Sequence, residues 1–413
     1  MADVTPFPAR PPAIASAAGK IPVIEVCSPR DGIQWSHGSS EVIGYRPFGI
    51  FRTTLAMLVI VQHVGHVGPK ADWGSWATGS IAVLMFFTLS GFVMTEAAVK
   101  FYRGRPVAFA MNRFLRIAPL YVISLVLSIG AILLALRMAP TYLPNDLVPY
   151  TGAELFSRGN LACNAIAFMP GPCDNAAFFV PYVWALRVEV LFYIVVAAAV
   201  FIGQWSVRAA VAVASLVATA MFACAIIGFG PSAFSFVPYF VFGIALYFVA
   251  TKPARTSLVA SVAAFLLCIW TTVATVMPGF LSHKTISFET SVFHVALFSL
   301  LTLVMVLLMN ARVPRFSKTI DRKIGDLSYP IYLQQYAILV LASVFLPQSY
   351  WTIAFVFPAA LLIAWITDWV AERPLRLVRD AVRGQKLESS TGRNSAVKRR
   401  TNRSGSVTEH MSG

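Results

Sequence analysis

Apolar runs of about twenty residues recur between Phe48 and Ala371, and few folds are open to such a chain. Inside a bilayer every backbone N–H and C=O needs a partner within the protein, so runs of this length become helices. The runs fall at 48–68, 78–99, 117–139, 179–202, 208–229, 234–251, 257–277, 291–311, 326–346 and 351–371. Charged residues are only 12% of the chain, about half the share of a soluble domain. The expected fold class is therefore all-α: a polytopic membrane protein with about ten transmembrane helices. A single transmembrane domain is expected over 46–376, with no internal repeat and one sizeable loop, Pro140 to Phe178. Residues 1–45 carry Pro6, Pro8, Pro11, Pro12, Pro22 and Pro29 but no apolar core, so they read as a disordered tail rather than a signal peptide. Residues 377–413, rich in Ser, Gly, Lys and Arg, read as a disordered basic tail.

Charge sets the expected orientation. With ten spans, 27 of the 33 Lys and Arg residues fall on the side of the two termini and four on the other, Lys70, Arg137, Arg158 and Lys284. Arg52 and Arg187 lie inside helices. The positive-inside rule then predicts a multi-pass membrane protein with both termini in the cytoplasm. The formal charge of +15 follows from this bias and from basic tails that can touch anionic lipid heads, so the bilayer is an expected partner and nucleic acid is not.

Ionisable residues within membrane helices are costly and so mark candidate sites. Arg52 and His63 are eleven residues apart on the first run, about three turns plus 20°, which puts both on one helix face about 16 Å apart along the axis. His66 lies one turn beyond His63. The second run carries Phe86, Phe87, Ser90, Gly91 and Phe92, and the Ser-Gly pair also suits close helix packing. Arg113 and Arg116 share one face in the loop leading to the third run; two adjacent guanidiniums repel unless they share an anion, and their planar forks suit phosphate oxygens. Trp184, Glu189 and Tyr193 open the fourth run. Glu189 faces away from Arg187, and His63 is the expected partner for its carboxylate. Cys163 and Cys173, ten residues apart in the large loop, are placed to close a disulfide in an oxidising compartment. His294 and Asp368 read as structural.

Together these segments resemble the acyltransferase 3 family of bacterial membrane-bound O-acyltransferases. The match covers about 46–376. It rests on Arg52 and His63, Phe86-Phe87 with Ser90-Gly91-Phe92, Arg113-Phe-Leu-Arg116 before Pro119 and Tyr121, and Trp184 with Glu189, Phe192 and Tyr193. Ser328-Tyr329-Pro330-Ile331-Tyr332-Leu333 and Glu372-Arg373-Pro374 complete it. The chain departs from the family pattern at Gln335, where a histidine is usual, and at Val190, where a second glutamate is usual. The resemblance implies transfer of an acyl group, usually acetyl, from acyl-CoA to a hydroxyl of an envelope carbohydrate, either a glycan or a lipid-linked sugar. It implies donor-binding roles for Arg52, Arg113 and Arg116 and a catalytic role for His63.

His63, oriented or charged by Glu189, is the expected general base on the acceptor hydroxyl, with an acyl-histidine intermediate as the alternative. Ser90, Trp184, Tyr193 and Tyr332 are expected along a pore or on the acceptor side. Acetyl-CoA enters as a co-substrate, and no metal or permanently bound cofactor is expected, because no metal-helix, Walker or nucleophile-elbow pattern occurs. A secondary transporter or polysaccharide flippase also fits ten helices with buried charge, although the inverted repeats common in such folds are not detectable.

Overall fold

A computed structural model of the chain describes residues 46–69, 76–139, 148, 150–171, 173, 176–280, 286–311 and 314–384. The tail expected over 1–45 lies outside the described residues, as do 385–413. The described residues form helices and turns without a strand, and ten helical spans are long and apolar enough to cross a membrane.

The chain runs through α1 (Phe48–His63), α2 (Thr78–Lys100) and α3 (Pro106–Met138), then two short loop helices, α4 (Gly152–Leu155) and α5 (Arg158–Ala165). There follow α6 (Val183–Ile202), α7 (Val207–Ile226), α8 (Val237–Thr251), α9 (Arg255–Thr271), the short α10 (Met277–Phe280) and α11 (Phe288–Met309). Last come α12 (Arg315–Phe345), α13 (Tyr350–Thr367) and α14 (Arg373–Arg383), with a π-helical turn, Asp368–Glu372, joining the final two.

Two boundaries differ from the sequence expectation in a way that matters. α3 begins at Pro106 rather than 117, so Arg113 and Arg116 belong to the helix and not to a loop. Proline is well suited to the first helical turn, where its missing N–H costs nothing, and hydropathy alone misses a helix whose first turns carry arginines. The helical domain likewise runs to Arg383 instead of stopping at 376.

Helix contact is closest where glycine removes a side chain. A Cβ on Gly91 would lie 2.2 Å from the Phe240 carbonyl oxygen, and one on Gly243 would lie 1.9 Å from that of Thr88. α2 and α8 therefore meet backbone to backbone beside Ser90. By contrast α7 buries little beyond Ala210 and Met221, and its Leu216 is 70% exposed, as suits a lipid-facing helix.

The Phe48 end of the bundle is tied by charge. α1 has no side-chain cap of its own; Asp321 of α12 supplies one, accepting from the backbone N–H groups of Gly49 at 2.9 Å and Ile50 at 2.8 Å. Glu96 takes Arg46 at 2.9 Å and Lys100 at 2.8 Å. Arg376 bridges Asp368 and Asp326, and Arg379 pairs with Glu372. Asn112 donates to the Arg379 carbonyl at 2.9 Å, which seats α14 against the first turns of α3.

At the opposite end, Cys163 and Cys173 form the expected disulfide, with a Cα–Cα distance of 5.6 Å. Arg187 faces this loop, donating to the carbonyls of Ala167 at 2.6 Å and Cys173 at 3.2 Å. His294 contacts the Trp76 carbonyl oxygen at 3.2 Å and Asp368 is ion-paired, both in structural positions.

Candidate active site

α1, α2, α3, α6 and α12 line an open-sided cavity. Its polar lining is Arg52, Ser90, Arg113, Arg116, Glu189, Tyr193, Ser328, Tyr329 and Tyr332, and its apolar lining includes Val83, Phe86, Phe87 and Met94. All three arginines singled out in the sequence thus meet in one space. Helix periodicity explains the convergence: Arg113 and Arg116 are one turn apart on α3, and Tyr329 and Tyr332 are one turn apart on α12.

The charge in this space is unbalanced, with three arginines against one glutamate. None of the three forms an ion pair with a carboxylate among the described residues, although the field of Glu189 reaches each of them. Arg113 is buried and lies over the rings of Phe109 and Tyr193 at 5.2 and 5.3 Å, yet its Nε has no hydrogen-bond partner among the described residues. Among the same residues the Tyr329 hydroxyl has no hydrogen-bond partner either. Orphaned buried donors beside surplus positive charge are costly unless an anionic group with acceptor oxygens completes them.

Glu189 is held by its own shell. Its Oε1 accepts from Ser90 Oγ at 2.8 Å and from the Tyr193 hydroxyl in a short hydrogen bond. The expected partnership with His63 is not formed. The reason is depth: Tyr182, just before α6, stands at the level of His63, and Glu189 is seven residues further along, about 10 Å deeper. That places the carboxylate among the cations, where Coulomb attraction favours it.

His63 does not line the cavity. It is the last residue of α1, and its Nδ1 lies 2.7 Å from the Val59 carbonyl oxygen. A carbonyl can only accept, so this contact assigns the proton to Nδ1 and leaves Nε2 of the neutral ring as the basic nitrogen. The ring packs on Tyr182 with centroids 4.4 Å apart and stacks with His66 at 6.4 Å. Between His63 and the cavity stands Tyr332, whose hydroxyl donates to the Tyr182 carbonyl at 2.9 Å. Trp184, expected on the acceptor side, instead packs against Phe87 and Phe236 at 6.2 and 5.5 Å and is absent from the lining. Ser90, Tyr193 and Tyr332 all reach the cavity.

Tyr329 and Ser328 were not singled out as site residues from the sequence; the signal lay in the spacing, since Tyr329 shares a helix face with Tyr332. Gln335 is fully buried and donates to the Tyr332 carbonyl at 3.0 Å rather than facing the cavity. Among the described residues no group of three or more His, Cys, Asp or Glu side chains could hold a metal ion.

Comparison with known proteins adds a family. Residues 48–369 match the acyltransferase 3 family, described as an acyltransferase domain. A Rhizobium radiobacter protein named Protein 2 in picA locus is 33% identical over 143 residues, which covers 32% of this chain and 69% of that protein. No solved structure matches the chain.

Proposed function

Because the chain belongs to the acyltransferase 3 family, a family of membrane acyltransferases, we propose that it moves an acetyl group from acetyl-CoA to a hydroxyl of a cell-envelope or exported carbohydrate. The observation that carries the donor half is the convergence of Arg52, Arg113 and Arg116 on one cavity with unpartnered donors at Arg113 Nε and Tyr329. Acyl-CoA is polyanionic at one end and neutral at the thioester, which matches a cationic cavity lying short of the candidate base. Family membership favours this reading over a transporter or flippase.

In this mechanism the arginines hold the donor phosphates by charge-assisted, bidentate hydrogen bonds. Glu189, buttressed by Ser90 and Tyr193, limits mutual repulsion of the arginines while the cavity is empty and keeps their forks in place. At the far end of the route, His63 Nε2 takes the proton of the acceptor hydroxyl as its oxygen attacks the thioester carbonyl. The C–O bond forms, the C–S bond breaks, and the leaving thiolate recovers the proton from the imidazolium. The Val59 carbonyl, not Glu189, orients the ring for this task. With the Phe48 end in the cytoplasm of a bacterial inner membrane, the donor would enter from the cytoplasmic pool and the acceptor would be met on the opposite face.

Two assays test the reading. Purified protein in detergent should transfer label from acetyl-labelled CoA to an extract of envelope glycans, and a strain lacking the gene should lose an acetyl increment from one of those glycans by mass analysis. Glycans of unchanged mass, together with no label transfer, would refute the proposed acceptor class and donor.

A further inference from the structure

We propose that Tyr332 and Tyr182 form a gate between the arginine cavity and His63, and that Tyr332 is the positioning residue through which an occupied cavity acts on the imidazole. The inference rests on the donor reading given above. The geometry is a short chain of contacts. The ring of Tyr332 lines the cavity against Phe86 at 6.4 Å. Its hydroxyl reaches out of the cavity to the Tyr182 carbonyl at 2.9 Å. Tyr182 in turn presents its ring to His63 at 4.4 Å, meets the tilted ring of Tyr332 at 6.2 Å and packs edge-on against Tyr336 at 6.1 Å. Both gate tyrosines are buried, at 8% and 7% exposure, and His63 lies beyond them, outside the lining.

A donor anchored by its phosphates among Arg52, Arg113 and Arg116 must send its thioester arm past Tyr332 to bring the carbonyl to His63. The observed latch is one neutral hydrogen bond between a side chain and a backbone carbonyl, which an entering amide-bearing arm can replace. Turning Tyr332 away frees the Tyr182 carbonyl at the start of α6 and so releases the ring seated on His63. Closed, the same pair keeps water on the His63 side from a thioester waiting in the cavity. The gate thus ties two requirements together: the base is uncovered when the donor arm arrives, and the thioester is shielded until then.

The test uses the full chain in sealed proteoliposomes with Tyr332→Phe, which keeps the ring and removes the latch, and Tyr332→Ala, which removes both. With acetyl-CoA and no acceptor, thioester hydrolysis should rise about two- to tenfold in Tyr332→Phe, the worth of one neutral hydrogen bond, and further in Tyr332→Ala. The KM for donor should stay near wild type while kcat for transfer falls, so that the ratio of hydrolysis to transfer rises. A merely structural role would lower both rates together and leave that ratio alone. A second readout needs no donor: Ser90→Cys, in a background lacking Cys27, Cys224 and Cys268, is exposed to a membrane-impermeant thiol reagent from the His63 side. Labelling should be slow with Tyr332 present and faster in both variants. An unchanged ratio and unchanged labelling in Tyr332→Phe and Tyr332→Ala overturn the gate. If acetyl-CoA is not the donor, hydrolysis is absent in every variant including wild type, and the labelling alone decides between gate and no gate.

Discussion

Ser90 donates a hydrogen bond to Glu189 at 2.8 Å inside a cavity whose other charged walls are all arginine. This pairing joins α2 to α6 within two helices apolar enough to span a membrane, where charge is expensive, and it places a carboxylate whose field reaches three cations. Neutralising it should therefore have two opposite consequences. Glu189→Gln should lower the thermal stability of the empty protein by about 1–3 kcal/mol and increase the stabilisation gained from acetyl-CoA. Thermal scans with and without donor measure both, and a variant as stable as wild type when empty would contradict the role.

Loss of the guanidiniums should act on donor binding alone. Arg113→Ala or Arg116→Ala should each weaken acetyl-CoA binding about 10- to 100-fold, the worth of a charge-assisted hydrogen bond lost. The double variant should show no thermal stabilisation by donor. Lysine at either position should restore little, because a point charge lacks the planar fork. Calorimetry on the purified variants checks this, and full rescue by lysine would count against phosphate recognition.

His63 offers the cleanest separation of binding from chemistry, because it lies outside the cavity. His63→Ala should reduce transfer by about two to four orders of magnitude, the usual range for a general base, while donor stabilisation stays at the wild-type level. Transfer at the wild-type rate in His63→Ala would remove the base assignment.

Asp321 makes a purely structural prediction at the other end of α1. It caps two backbone N–H groups that α1 cannot satisfy for itself. Asp321→Ala should cost about 1–3 kcal/mol, read as a lower unfolding temperature, with donor affinity per folded molecule unchanged. Asparagine, which keeps one acceptor oxygen, should recover part of the loss.

The disulfide predicts a simple chemical result. Without reductant, alkylation should leave Cys163 and Cys173 unmodified in a mass spectrum; after reduction under denaturing conditions both should react. Cys163→Ser should loosen the segment whose carbonyls Arg187 holds, lowering stability by about 2–3 kcal/mol for a loop of this size.

Ten spans were legible in the sequence because each is a local property: about twenty apolar residues must become a helix in a bilayer, whatever their neighbours do. The shared face of Arg113 and Arg116 was legible for the same reason, being set by helical period within one segment. Tertiary structure alone decided who meets whom between helices. It put Arg52 with Arg113, Arg116 and Glu189, separated Glu189 from His63 by depth, sent Trp184 into an aromatic cluster and set Tyr332 between cavity and imidazole. Periodicity gives the face and height of a residue on its own helix but not the tilt and offset of one helix against another. Those follow from close contacts such as Gly91 against Phe240 and Gly243 against Thr88, which exist only once the helices have packed.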